Sequence, residues 1–244
     1  MVFLSRLLHI LPALWLAVAA AAEGGPPSDG PTTPAAFSRF QMLVIVHALL
    51  STLGFAVLLP AGALLARYLR TFRPWWYSAH WIVQLALAGP VVAVGVGLGF
   101  LANHEYGDTD SPVHPTLGKF VLGLYVFQCV LGAVIHYIKP ASAVRRRPAQ
   151  NYAHGVLGLL VVGIGMYQIR TGYADEWPRL LRYGSLPGSV NTLWIVWCVI
   201  LPVVYAGGLA LLPKQYRQEA DARYRSVAPD DKAHELHAMQ DHDS

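Results

Sequence analysis

Five long apolar segments, separated by short polar stretches, constrain this chain more than any other feature. A helix needs about 20 apolar residues to cross the hydrocarbon core of a bilayer, and each segment is long enough. They lie near 41–66, 78–102, 116–138, 152–170 and 190–212. Lys119 is the only charged side chain well within them, and Arg170 lies at a border. The sequence therefore predicts an all-α polytopic membrane protein with five transmembrane helices.

The charge and cysteine content narrow the class further. Charged residues make up only 13% of the chain, against about 25% in an ordinary soluble domain. The net charge of +4 lies in short clusters between the apolar segments, which indicates membrane orientation rather than nucleic-acid binding. Cys129 and Cys198 both lie inside apolar segments, which argues against a disulfide framework and a thiolate zinc site.

The two ends of the chain are predicted to lie outside the membrane domain. Residues 1–22 have the pattern of a secretory signal peptide cleaved near Ala22, with a first transmembrane helix as the alternative. Residues 23–38 form an extracellular linker rich in Pro, Gly and Ser. A membrane domain over 39–213 is followed by a polar cytoplasmic tail, 214–244, for which we expect poor order.

The loops predict the orientation, because cytoplasmic loops of membrane proteins are enriched in Lys and Arg. Basic residues occupy loops one and three: Arg67, Arg70, Arg73, Lys139, Arg145, Arg146 and Arg147. Loop two carries only acidic charges: Glu105, Asp108 and Asp110. We therefore expect an outer amino terminus, a cytoplasmic carboxy terminus and a location in the plasma membrane or an endomembrane. Loop four, 171–189, is either an interfacial amphipathic turn or a simple loop.

Four successive spans carry one histidine each, at two matched depths. His47 and His114 lie near the outer ends of spans one and three, and His80 and His154 near the inner ends of spans two and four. Short loops make sequential helices antiparallel neighbours, so each pair faces across a diagonal of the bundle. Two facing imidazoles can hold the iron of one haem. The pattern predicts a four-helix core that binds two haems, one toward each leaflet, with the fifth helix at its flank.

Small residues accompany these histidines. Ser51, Gly118 and Gly158 each follow a histidine by four residues, on the same helix face, where a porphyrin needs space. Other glycines occur where the second haem of each helix would pass: Gly62, Gly97, Gly99, Gly132, Gly163 and Gly165. The alternative is that small residues only allow close helix packing.

A weaker set of polar residues is a candidate for substrate or propionate binding. His136 lies at the inner end of span three, and no imidazole stands opposite it on span one. With Arg67, Arg70 and Lys139 it forms a candidate site for an anionic reductant, and topology signalling is the favoured alternative for each of these cations. Lys119 either pairs with an outer haem propionate or extends to the membrane surface.

Four stretches carry a resemblance to a known family: HALLSTLGFAVLLPAGALLAR (47–67), HWIVQLALAG (80–89), HPTLGKF (114–120) and NYAHGVLGLL (151–160). Together they resemble the cytochrome b561 family, particularly fungal and plant members, over about 38–212. The resemblance implies two b-type haems on the four histidines and transmembrane electron transfer. The usual donor is cytoplasmic ascorbate, and the acceptor is monodehydroascorbate or a ferric chelate. Many relatives carry an upstream DOMON-like domain, where this chain has a short linker.

Three functional hypotheses follow. The first is a transmembrane oxidoreductase that passes electrons from a cytoplasmic small-molecule reductant to an extracytoplasmic acceptor. The second is a haem-binding anchor subunit of a multisubunit oxidoreductase. The third is a haem-free proton-coupled transporter, in which the histidines gate protons. The chain shows no nucleic-acid motif, and the choice between homodimer and monomer stays open.

Overall fold

The computed structural model describes residues 38–106, 113–138, 148–181 and 185–225, and within these ranges it contains helices and no strand. Five helices are long and apolar enough to span a membrane. They are α1 (Arg39–Leu69), α2 (Trp76–Glu105), α3 (Val113–Tyr137), α4 (Ala149–Leu180) and α5 (Gly188–Arg225). The prediction of an all-α membrane protein with five spans is therefore confirmed. The proposed signal peptide lies outside the described residues.

Local sequence explains where α1 begins. Ser38 forms a capping box with Gln41: its hydroxyl accepts the Gln41 N–H at 3.2 Å, and its own N–H donates to Gln41 Oε1 at 2.9 Å. Arg39 then pairs with Glu105 at 2.7 Å, which joins the start of α1 to the end of α2. The ion pair places the start of α1 beside the end of α2, as expected of antiparallel neighbours.

Three of the membrane helices contain a π-helical segment. The segments are Leu53–Leu58 in α1, Ile82–Leu87 in α2 and Gly172–Glu176 in α4. Pro60, which has no N–H to donate, stands just beyond the first. A π segment rotates the helix face beyond it and often occurs at functional sites. The first two begin within about two turns of His47 and His80 respectively.

The main core draws on the first four helices. It contains Phe55, Leu59, Ala88, Val92, Val96, Val121, Tyr125 and Val161. By contrast, α5 buries no residue between Gly188 and Gly207 and exposes apolar side chains of the kind that face lipid. Two indole N–H groups attach it to the core: Trp194 donates to Met166 O at 3.0 Å, and Trp197 to Ala56 O at 2.8 Å. The predicted four-helix core with one flanking helix is confirmed.

Helix α5 continues beyond the membrane domain, through a 3₁₀ turn (Gly208–Leu211) into a polar helix, Leu212–Arg225. Pro213 is compatible with this second helix because it stands in the first turn. The polar helix docks on the loop between α1 and α2: Gln215, only 2% exposed, donates to Arg67 O at 2.9 Å and Thr71 Oγ1 at 2.8 Å. The expectation of a poorly ordered tail is therefore wrong for 214–225.

Loop four also differs from the sequence expectation in its first half. The α4 helix runs through Gly172–Glu176 and continues as Trp177–Leu181, so this part is neither a simple loop nor a separate turn. Glu176, which is 6% exposed, pairs with Arg179 one turn later. Because the helix is continuous, it holds these two charges close to the end of the bundle where His114 lies.

Replacing Gln215 with alanine should detach the polar helix from the bundle. The substitution removes two hydrogen bonds and leaves Thr71 Oγ1 without its buried donor, a loss of about 1–3 kcal/mol. We expect a lower thermal unfolding midpoint in detergent and faster proteolysis within Leu212–Arg225. Gln218→Ala is the matched control, since Gln218 makes one longer bond, 3.3 Å to Thr71 O. Equal effects of the two variants would contradict this role for Gln215.

Candidate functional site

The four predicted histidines meet as two facing pairs. The ring centroids of His47 and His114 are 6.1 Å apart with an interplanar angle of 84°, and those of His80 and His154 are 6.3 Å apart at 78°. An imidazole nitrogen binds a metal ion at about 2 Å, so two rings that share one ion place their centres roughly 6 Å apart. Both separations therefore fit one iron held between two imidazoles.

Backbone carbonyls orient the histidines of α1 and α2. His47 Nδ1 lies 2.6 Å from Gly95 O, and His80 Nδ1 lies 2.9 Å from Gly62 O. A carbonyl oxygen only accepts, so Nδ1 carries the proton in both rings and Nε2 keeps its lone pair. Histidines that bind metals commonly have this arrangement, because the bonded Nδ1–H fixes both tautomer and ring orientation.

The histidines of α3 and α4 differ from each other in this respect. His114 Nδ1 lies 2.8 Å from Thr171 Oγ1, and the Thr171 hydroxyl itself donates to Gln168 O at 2.9 Å. Because the Thr171 hydroxyl donates its one proton to Gln168 O, its oxygen accepts the proton of His114 Nδ1. The Nε2 atom of His114 therefore keeps its lone pair, as in His47 and His80. His154 Nδ1 is buried and has no hydrogen-bond partner among the residues that the structure describes.

Glycines make room for the rings. A Cβ atom at Gly99 would lie 2.6 Å from His47 Cε1, and one at Gly132 or Gly172 would lie 3.1 Å from Cε1 of His154 or His114. The sequence analysis missed Gly172 because it lies beyond the predicted end of span four. At these positions glycine allows a histidine ring to pack directly against the neighbouring helix.

The other predicted small residues do not all support one interpretation, since some leave space where a haem could pass and others allow close helix packing. Gly165 serves close helix packing, since a Cβ there would lie 2.6 Å from Phe55 Cδ1, whereas Gly97 and Gly163 have no atom within 4 Å of that position. Ser51 Oγ lies 3.5 Å from His47 Nδ1. Gly118 and Gly158 contact glutamine side chains rather than open space.

Those glutamines are functional candidates that the sequence analysis missed. Gln168 Nε2 donates to His114 O at 2.7 Å, and Gln128 Nε2 donates to His154 O at 2.7 Å. A sequence signal for them exists, because 114–132 and 154–172 share the pattern HxxLGxxxxGxxxxQxxxG. Each glutamine thus holds the backbone of the histidine on the antiparallel neighbour, and α3 and α4 use the same interaction in both directions.

A cavity of about 970 Å³ opens beside the His47–His114 pair. It is at the upper end of the range for small-molecule and cofactor sites, and its lining is mostly apolar. The charged residues of the lining are Lys119, Glu176 and Arg179. An apolar cavity lined by two imidazoles and by the cation Lys119 fits an amphipathic group such as haem, whose carboxylates need positive partners.

Two of the four weaker candidates, Arg70 and His136, are linked through aromatic rings at the opposite end of the bundle. The Arg70 guanidinium lies 5.5 Å from the ring centroid of Trp76, which contacts Tyr77, and Tyr77 stacks on His136 at 4.2 Å and 12°. Arg70 also pairs with Glu219. Arg67 instead faces α5: its Nη2 donates to Tyr205 OH at 2.9 Å. Lys139 lies outside the described residues.

The fold and these contacts define a class: a helical membrane protein with paired imidazoles in its core. The sequence profile described as Eukaryotic cytochrome b561 matches residues 46–178, more than half of the chain. The chain belongs to the cytochrome b561 family, as the four histidine-containing stretches predict. This family consists of transmembrane b-type haem proteins that transfer electrons.

Curated relatives come from Arabidopsis thaliana. One cytochrome b561 and DOMON domain-containing protein is 28% identical over 126 residues, which cover 52% of this chain and 30% of the relative. A second is 28% identical over 178 residues, 66% of this chain and 42% of the relative. A cytochrome b561, DM13 and DOMON domain-containing protein is 26% identical over 195 residues, 75% and 19% respectively. The chain thus spans less than half the length of these relatives. No solved structure matches it.

Proposed function

We propose that the chain binds two b-type haems, one between His47 and His114 and the other between His80 and His154, and carries electrons between the two faces of a membrane. The observation that carries this proposal is the pair of ring separations, 6.1 and 6.3 Å, on opposite diagonals of the four-helix core. When bound, b-type haem supplies a one-electron Fe(III)/Fe(II) couple. The protein supplies the ligands, their orientation and a dry environment.

The two pairs lie at different levels of the bundle, as the backbone contacts indicate. His47 meets Gly95 and His80 meets Gly62, so the levels are separated by the rise from residue 47 to residue 62, about 22 Å. Phe55 and Leu59 of α1 lie between these levels, and so do Ala88 and Val92 of α2; all four are buried. The apolar layer excludes water and ions from the space between the pairs, which favours electron passage without proton or ion leakage.

The charge distribution supports a direction of electron transfer, from the His80–His154 pair to the His47–His114 pair. The basic loops support a cytoplasmic position for the His80–His154 end, an outer amino terminus and a membrane domain over 39–213. At this end of the bundle, Arg70 and the rings of Trp76, Tyr77 and His136 would bind an anionic reductant such as ascorbate. At the other face, Lys119 would pair with a haem carboxylate, and electrons would leave to a ferric chelate or monodehydroascorbate.

Proteoliposomes test this transfer. Purified full-length protein, with its haem counted, is reconstituted around trapped ascorbate, and a ferric chelate outside is followed with a ferrous-selective chelator. We expect haem reduction and external Fe(II) that depends on trapped ascorbate, with protein-free liposomes as the control. Haem reduction without external Fe(II) would favour the anchor-subunit alternative, and protein without haem would favour the transporter.

A further inference from the structure

Helices α3 and α4 share the pattern HxxLGxxxxGxxxxQxxxG, a repeat that places His114 and His154 in equivalent surroundings. A Cβ atom at Gly172 would lie 3.1, 3.7 and 3.9 Å from Cε1, Nδ1 and Nε2 of His114, and one at Gly132 would lie at the same three distances from His154. Each backbone carbonyl also receives a glutamine N–H at 2.7 Å. The two rings therefore sit in matching positions on the facing helix.

One residue breaks this equivalence. Thr171 precedes Gly172 and accepts the proton of His114 Nδ1 at 2.8 Å, whereas Leu131 occupies the corresponding place before Gly132 and has no polar atom in its side chain. His154 Nδ1 accordingly lacks a partner within the described part of the chain. Thr171 is 6% exposed, so water does not compete for its hydrogen bond.

The histidines on the other side of each pair do not offset this difference. His47 and His80 both bond a glycine carbonyl through Nδ1, at 2.6 and 2.9 Å. Among the residues that the structure describes, one pair thus has Nδ1 hydrogen bonds on both rings, and the other has one on His80 alone. A partner for Nδ1–H makes the imidazole a stronger electron donor, and a stronger donor favours ferric over ferrous iron.

We propose that Thr171 is a positioning residue that lowers the reduction potential of the haem held by His47 and His114, and that Leu131 leaves the His80–His154 haem without the same effect. The inference rests on the proposed two-haem function. It assigns to one hydroxyl group a difference between two histidines, His114 and His154, that occupy matching positions on the facing helix. It also explains why a threonine stands at this position of α4, when its partner in the repeat is a leucine.

The test is a redox titration of the purified full-length protein with reciprocal substitutions. Thr171→Val keeps the shape but removes the acceptor, and we expect one of two potentials to rise. At a fixed solution potential, the ratio of oxidised to reduced form of the affected haem should change by up to about tenfold. This change corresponds to 59 mV for a one-electron couple. Thr171→Ser keeps the hydroxyl and should retain the original value. Leu131→Thr supplies an acceptor to His154 and should lower the other potential.

The outcomes separate this inference from the function on which it rests. Two haems per chain with both potentials unchanged in Thr171→Val would overturn the role of Thr171 and leave the two-haem proposal standing. If Thr171→Val loses a haem, Leu131→Thr becomes the deciding variant. A lower potential of the His80–His154 haem in that variant supports the inference, and an unchanged potential overturns it. Fewer than two haems in the unsubstituted protein would defeat the proposed function itself.

Discussion

His47→Ala and His80→Ala should each reduce the haem content from two to one per chain, and the two variants should lose different haems. His47 faces His114, and His80 faces His154, so each substitution removes one of the two side chains that would hold a given haem. The remaining imidazole alone would not hold that haem in place. The measurement is haem per chain, together with the reduced-minus-oxidised spectrum of each variant.

Two other histidines provide matched controls for these variants. His104 is exposed near the end of α2, and His136 stacks on the ring of Tyr77. His104→Ala and His136→Ala should keep both haems and an unchanged difference spectrum. Loss of the same haem in His47→Ala and His80→Ala would contradict the pairing, and so would a loss in His136→Ala.

The sequence was sufficient to predict the membrane helices and the way the histidines pair. Both depend on properties that a chain expresses locally: the length of an apolar segment, and the antiparallel order that short loops impose. His47 and His114 are far apart in sequence, yet simple diagonal geometry predicts that they meet, and their rings lie 6.1 Å apart. The assignment of these rings as haem ligands remains a prediction that the substitutions above address.

Features that depend on helix register were not predicted. Nothing near Gly62 or Gly95 in the sequence shows that their carbonyl oxygens receive histidine protons, because this requires the relative height and rotation of α1 and α2. The polar helix at the end of α5 was missed for a similar reason. Its charges resemble those of a solvated tail, and the distant partners Arg67 and Thr71 reveal why Gln215 is buried.

The glycines of α2 permit a second large-effect prediction, on the environment of a single ring. Gly99→Ala should disturb the haem of the His47–His114 pair and leave the other intact. The new Cβ atom would lie 2.6 Å from Cε1 and 2.7 Å from Nδ1 of His47, so the ring must move away from its bond with Gly95 O. Overpacking of this kind costs about 1–3 kcal/mol, and here it falls on the orientation of a metal ligand.

Gly97→Ala is the control that isolates this effect. Gly97 stands two residues earlier on the same helix and has no atom within 4 Å of its would-be Cβ position, so the substitution adds the same methyl group without a clash. Both variants gain similar helix propensity, which removes backbone preference as an explanation. We expect Gly99→Ala to show the haem loss and spectrum of His47→Ala, and Gly97→Ala to keep two haems. Equal losses would mean that α2 tolerates no added bulk anywhere, and retention in both would mean that the His47 ring can move and still hold its ligand. Only a difference between the two variants links Gly99 to the histidine it faces.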